Sequence, residues 1–140
     1  MASGDQANTV TPDLFGLWYN ELGSKVIIDP VVDGVLKGTY LNNASDSSTT
    51  PETLIGSCGI GVPATFGFVV NFEKGKFTTS WSGQYRKDEE NEEVLLTTWL
   101  MTSNLPGEDS YWDAVNVGQD RFTRYPQKQP KQGRKLLAKF

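Results

Sequence analysis

Residues 78–85 read TTSWSGQY. Hydroxyl-bearing and apolar side chains alternate along this stretch, and a period of two residues is the mark of a strand with one face turned to a core. On that reading Thr79, Trp81 and Gly83 share a face. Phe68 and Phe72 lie in the segment before it, and Trp99 and Trp112 lie in two later segments. Groups able to form hydrogen bonds recur at Asn20, Ser24, Tyr40, Asn42 and Asp120. Aromatic walls with a few polar groups set among them describe a small-molecule pocket rather than a catalytic centre.

Outward from this stretch the pattern repeats. Short runs, most of them rich in Val, Ile, Thr, Phe, Tyr or Trp, fall at 15–20, 25–30, 35–41, 53–58, 65–72, 76–86, 93–102 and 119–125. Turn residues separate them: Leu22-Gly23-Ser24, Asp33-Gly34, Lys74-Gly75 and the stretch from Lys87 to Asn91. Asp-Gly between two apolar runs is a strong hairpin signal. No segment before residue 126 sustains a 3.6-residue apolar period, and only 109–115 suggests a brief helical turn. The expectation is an all-β fold, an eight-stranded antiparallel up-and-down β-barrel, with a packed sandwich as its rival. Closure removes exposed sheet edges, and eight strands leave room for one small ligand. Two connections are longer than a hairpin needs. Residues 42–52 (NNASDSSTTPE) are small and polar, and 103–118 contain Pro106, Gly107 and Trp112. Long loops on a barrel usually sit at its open mouth. An indole in so polar a loop points to a cap over a ligand or a crossing into another subunit.

A chain of 140 residues suits one domain with one core. The expected division is a flexible segment 1–14, a barrel 15–125 and a basic tail 126–140. No apolar run approaches the length of a membrane span, and no membrane partner is expected. The first residues, MASGDQANTVTPD, lack an apolar h-region, so the chain as given carries no signal peptide; an intracellular protein and a mature secreted form both remain open. The single cysteine, Cys58, rules out an internal disulfide and weakly favours a reducing compartment. There is no histidine, which removes the commonest general base and metal ligand. Residues 1–120 hold all 17 acids and six bases, a balance of −11, while 121–140 hold seven bases and no acid. A basic tail can touch a polyanion, but this one is poor in aromatics and broken by Pro126 and Pro130, so no nucleic-acid partner is expected.

Five blocks together carry a resemblance: WYNELGS (18–24), GTYLN (38–42), TTSWSGQY (78–85), TTWLMTS (97–103) and YWDAVNVGQDRFT (111–123). In this order and spacing they resemble the avidin and streptavidin family of biotin-binding proteins, over roughly residues 15–125. The resemblance implies a biotin site in the open end of the barrel, no cofactor, and a homotetramer, with a homodimer as the alternative. It implies that Asn20, Ser24 and Tyr40 surround the ureido oxygen of biotin, that Asp120 accepts one ureido N–H, and that Asn42 accepts the other. Thr79 would approach the thioether sulfur. Trp81, Trp99 and Phe72 would wall the ring and valeryl chain, and Trp112 would be the lid lent by a neighbouring subunit. Biotin and biotinylated molecules are then the expected partners.

The chain departs from the family pattern in places. Phe72 stands where streptavidin has tryptophan and keeps an aromatic wall, as in some other family members, and Phe77 stands where a serine commonly reaches the ligand carboxylate. That contact would pass to the 43–50 loop, with Ser45, Ser47, Ser48 and Thr49 as candidates. Plainer readings exist as well. Trp81 and Trp99 could be core, Asn20 and Ser24 turn residues, and Asp120 a surface carboxylate paired with Arg121. A lipocalin-like carrier of another hydrophobic ligand is the rival function, but it would not need the Asn20, Ser24, Tyr40 and Asp120 set. An enzyme is the weakest class, because nothing places the acids Asp120 and Glu93 at a shared bond.

Overall fold

A computed structural model describes residues 12–43, 50–60, 64–104 and 115–128. Eight strands run in chain order: β1 Gly16–Tyr19, β2 Lys25–Ile28, β3 Val35–Leu41, β4 Glu52–Cys58, β5 Thr65–Phe72, β6 Phe77–Lys87, β7 Glu93–Ser103 and β8 Val115–Thr123. Each pairs antiparallel with the next, and β1 meets β8, so the sheet is a closed barrel as the alternation predicted. Asp33 and Gly34 both take positive φ (53° and 74°), and Val35 N donates to Val32 O at 2.9 Å. This is the turn that the right-handed twist of paired strands favours, and its second position suits glycine. The Lys74-Gly75 signal becomes a one-turn 3-10 segment, Glu73–Gly75, with Lys74 also at positive φ.

The strand bounds differ from the sequence reading by no more than two residues at any end except the start of β8, where they differ by four. The last strand begins at Val115 rather than 119, so residues 115–118 belong to the wall and not to a loop. Val115 and Val117 face out while Asn116 and Gly118 turn inward, a period of two too short and too polar to stand out unaided. The possible helical turn at 109–115 otherwise lies outside the described residues, as do Trp112, the loop hydroxyls Ser45, Ser47, Ser48 and Thr49, and residues 129–140 of the tail.

The inward rows make the core. Thr79, Trp81 and Tyr85 are buried on β6, with Gly83 half-buried in the same row. Phe66, Phe68 and Val70 enter from β5, Leu54 from β4, Leu95 and Trp99 from β7, and Phe122 from β8. One end of the barrel is sealed by Leu14, Trp18 and a charged clasp. The Arg124 guanidinium lies 3.7 Å from the centre of the Trp18 ring and donates to Glu93 at 3.1 Å. It also donates to the carbonyls of Phe15 and Asp13, at 2.8 Å each. The Tyr85 hydroxyl donates to the second Glu93 oxygen at 2.7 Å. Burial works against the Glu93 charge, but Tyr85 and Arg124 outweigh it and hold the carboxyl below the usual range.

The seam between β1 and β8 is the thin part of the wall. Among the described residues only Tyr19 and Thr123 pair across it, whereas the other edge of β8 is paired with β7 from Val115 to Thr123. Side chains supply what the ladder lacks. Gln127 Nε2 donates to the carbonyls of Tyr19 and Arg121 at 2.9 and 2.8 Å, and Glu21 accepts from the Arg121 N–H. The opposite end of the barrel, reached by the C-terminal ends of β1, β3 and β7, carries the polar groups.

Candidate functional site

The site begins in the turn between β1 and β2. Asn20 Oδ1 accepts from the N–H groups of Leu22 (3.0 Å) and Ser24 (2.9 Å). Its acceptor is therefore committed to the turn, which leaves the amide N–H₂ as the group free to face the interior. Asn20 and Ser24 are each only 3% exposed. Ser24 Oγ accepts from Asn43 N at 3.0 Å, donates to Asn42 Oδ1 at 3.3 Å, and hydrogen-bonds with the Tyr40 hydroxyl of β3. Burial, reinforced by the charge of Asp120, raises the Tyr40 phenol far above its ordinary value, so it stays a neutral donor at physiological pH.

Asp120 projects inward from β8 toward this group. Trp81 Nε1 donates to its Oδ2 at 2.9 Å, and the Asn20 amide and Trp99 indole lie close enough to favour its ionised form. Burial nevertheless dominates, and with the nearby Glu21 charge it pushes the Asp120 carboxyl up to about 6. Asp120 does not pair with Arg121. That guanidinium turns outward to Asp88 at 3.1 Å. The plain reading of Asp120 as a surface carboxylate paired with Arg121 is thus overturned: alternation along β8 sends the two side chains to opposite faces.

Aromatic rings build the wall. Tyr40 lies edge-on to Phe72 at 5.3 Å and tilted against Trp81 at 5.2 Å, and Phe68 stacks on Trp81 at 5.0 Å. Trp81 and Trp99 are directly paired across β6 and β7, and Thr79 is paired with Met101. Asn20, Ser24, Tyr40, Phe72, Thr79, Trp81, Trp99 and Asp120 therefore meet at one end of the barrel. Asn42 is exposed at the rim and tied to it through Ser24. Trp112 lies outside the described residues.

Three contributors escape a sequence reading. Thr97 Oγ1 donates to the Asp120 carbonyl at 3.0 Å. Met101 packs against the core beside Thr79. Glu21 sits next to Asn20 and caps the Arg121 N–H. Thr97 and Met101 share the inward parity of Trp99, which was signal enough to find them; nothing local marks Glu21.

The arrangement can bind but has little to react with. Glu93 lies four residues along β7 from Thr97, the partner of Asp120, or roughly 13 Å at strand rise. The two acids thus serve opposite ends of the barrel. Among the described residues no cluster of three His, Cys, Asp or Glu side chains could hold a metal ion. Also among the described residues, no buried side-chain nitrogen or oxygen lacks a partner. An open groove of about 720 Å³ crosses the outer wall, lined by Thr65, Ser82, Gln84, Thr98 and Gln119 and reaching Asp120. It includes none of Ser24, Tyr40, Trp81 or Trp99, so it is separate from the aromatic cluster.

The chain matches the Avidin family model over residues 8–125. It is 35% identical to avidin of Gallus gallus over 117 residues, covering 79% of this chain and 77% of that protein. It is 37% identical to Fibropellin-1 of Strongylocentrotus purpuratus over 119 residues, 82% of this chain. The chain spans 11% of Fibropellin-1 and 20% of Fibropellin-3, so these are much longer proteins. Among solved structures, Xenavidin superimposes with a TM-score of 0.75 at 34% identity, over 83% of this chain and all of that one. A biotin binding protein from chicken does so with a TM-score of 0.72 at 32% identity, over 84% and 99%. Avidin-family proteins are binding proteins rather than enzymes. A closed eight-stranded barrel and a family match that runs through every strand lead to one conclusion: this chain belongs to the avidin family.

Proposed function

We propose that this protein binds biotin non-covalently and with high affinity at the open end of its barrel. The observation that carries this reading is the convergence of Asn20, Ser24, Tyr40 and Asp120, from three separate parts of the chain, beside Trp81, Trp99 and Phe72. A cyclic urea has one carbonyl oxygen and two N–H groups. The Asn20 amide and the Tyr40 hydroxyl suit the oxygen, and Ser24 joins them when its one proton turns from Asn42 to the ligand. Asp120 suits one N–H through a charge-assisted bond, and Asn42 Oδ1 suits the other through its second lone pair. The donors are held before the ligand arrives, which limits the ordering cost of binding. Thr79 serves the thioether, and the rings of Phe72, Trp81 and Trp99 serve the apolar body. In this reading Trp112 is the lid of a neighbouring subunit.

Self-association belongs to the same proposal. Ile55, Val69, Leu100 and Val117 are exposed by 55, 39, 51 and 43%. Register places them in one row across the outer wall, with Ser80 between Val69 and Leu100. A contiguous apolar row on a sheet face suits burial against a second copy, and a homotetramer is the assembly we favour.

Calorimetry with biotin and with its carboxyl-amidated analogue tests the site. Saturation at one ligand per chain supports it, and similar affinities for the two ligands fit a ureido-centred grip. Absence of heat with either ligand at micromolar protein rejects it.

A further inference from the structure

Glu21 has no part in the ureido ring proposed above, yet it lies between two of that ring's members. It follows Asn20 in the β1–β2 turn, and both its oxygens accept from the Arg121 N–H, at 3.1 and 3.0 Å. We propose that Glu21 is a positioning residue whose carboxylate clasps the β1/β8 seam and fixes the Asp120 carboxylate opposite the Asn20 amide.

The argument starts from one peptide group. The N–H of Arg121 and the C=O of Asp120 belong to the same planar unit. Glu21 takes the N–H from the turn side, and Thr97 Oγ1 donates to the C=O from β7 at 3.0 Å. With both ends held, the plane cannot rotate, and the direction in which Asp120 leaves the backbone is set. The clasp is needed here because the ladder between β1 and β8 stops at Tyr19 and Thr123. Beyond that pair, toward the mouth, no strand partner across the seam serves Arg121 N. A side chain does the work of a strand, and it comes from the same turn that aims the Asn20 amide. One five-residue turn therefore holds both sides of the seam in register.

Glu21 also acts through its charge. The groups facing Asp120 are Asn20 and Glu21 from the turn, Tyr40 from β3, and the neutral Trp81 of β6 and Trp99 and Thr97 of β7. The Arg121 guanidinium is turned away to Asp88. The Glu21 charge raises the proton affinity of Asp120, and a more basic carboxylate is a better acceptor for a neutral N–H.

The functional consequence rests on the biotin reading, but the clasp can be tested without ligand. Glu21→Gln keeps an acceptor for Arg121 N–H and removes the charge, whereas Glu21→Ala removes both. In ligand-free protein the Trp81 indole N–H resonance reports Asp120 ionisation, and amide exchange reports the Arg121 bond. The Asp120 midpoint should fall below its wild-type value near pH 6 in both variants. Arg121 exchange should quicken about tenfold or more in Glu21→Ala only, the scale of one lost charge-assisted bond. Biotin release should quicken about tenfold in Glu21→Ala and stay within about threefold of wild type in Glu21→Gln. Wild-type Arg121 exchange in Glu21→Ala, or equal acceleration of release by the two variants, overturns the clasp. If the wild type takes up no biotin, the functional reading fails by itself, and the exchange and midpoint data still decide the clasp.

Discussion

Asp120→Asn should stabilise the ligand-free protein at pH 8 while weakening its grip on biotin. The Asp120 carboxyl is pushed from an ordinary 3.8 up to about 6, first by burial. Its folded-state value is thus raised, so its contribution to stability is fully present below about pH 4 and is lost as pH rises through 6. A rise of about two units corresponds to about 3 kcal/mol in the order-of-magnitude sense. Asparagine carries no charge and escapes that cost. It also brings an N–H₂ group toward the Asn20 amide and Trp99 indole, which already present donors there. Trp81 keeps an acceptor, but one favourable contact becomes a donor facing donors, at about 1 kcal/mol. The variant should therefore be more stable than wild type by about 2 kcal/mol at pH 8 and less stable by about 1 kcal/mol at pH 4.

Urea unfolding of both proteins without ligand, at several pH values between 4 and 8, reads this crossover directly. Protein concentration must be fixed, because the self-association proposed above would add its own stability. Biotin affinity of the variant should fall by about tenfold to a hundredfold, the scale of a lost charge-assisted hydrogen bond. In wild type, one proton should leave per biotin bound below pH 6, visible as a buffer-dependent heat. A stability difference that does not change with pH would refute the claim that Asp120 is held as a destabilised carboxylate.

Trp81→Phe keeps a ring against Phe68 and Tyr40 but removes the indole donor to Asp120. The Asp120 midpoint should rise, and biotin release should quicken about tenfold, as stopped-flow displacement would show. Arg124→Ala should lower stability by about 2 kcal/mol, because Glu93 loses its partner, Trp18 loses a stacked guanidinium, and two carbonyls lose donors. Its biotin stoichiometry in the folded state should be unchanged, since the clasp lies at the sealed end. Leu100→Glu, on the outer wall, should shift sedimentation toward smaller species and leave the ligand-free barrel folded; unchanged assembly would remove that row from the interface.

Much of this was legible before any coordinates. Period-two alternation at Thr79, Trp81 and Gly83 fixed strand and face together, and the Asp33-Gly34 turn fixed the connection that makes neighbours antiparallel. These signals are local, so a sequence carries them well. What it did not carry was pairing across the seam. Tyr19 and Thr123 stand more than a hundred positions apart, and the bonds that reinforce them run between Glu21, Gln127 and backbone atoms that no pattern marks. The early start of β8 was hidden for a related reason. A strand that opens Val-Asn-Val-Gly, with polar or absent side chains on its inner face, looks like a loop until β7 pairs with it. Asn42 was placed from resemblance alone, and its exposure at the rim with its oxygen shared with Ser24 makes it a weaker acceptor than a buried one.

The direction of each polar group in this barrel follows from what the backbone has already taken. Asn20 could offer an oxygen or an amide to the interior; two turn N–H groups take the oxygen, so only donors remain. Ser24 could accept or donate, but Asn43 N–H occupies one of its lone pairs and its one proton goes to Asn42, with the Tyr40 hydroxyl beside it. Tyr40 could ionise, but burial keeps its proton. Asp120 is left as the carboxylate acceptor facing donors, at the expense of stability at neutral pH. A ligand with an exposed carbonyl oxygen flanked by N–H groups therefore meets a polarity pattern set by the turn and the strands before it arrives. Removing a turn bond that touches no ligand, such as those to Leu22 or Ser24 N–H, should disturb recognition as surely as removing a contact, because it frees Asn20 to present the wrong atom.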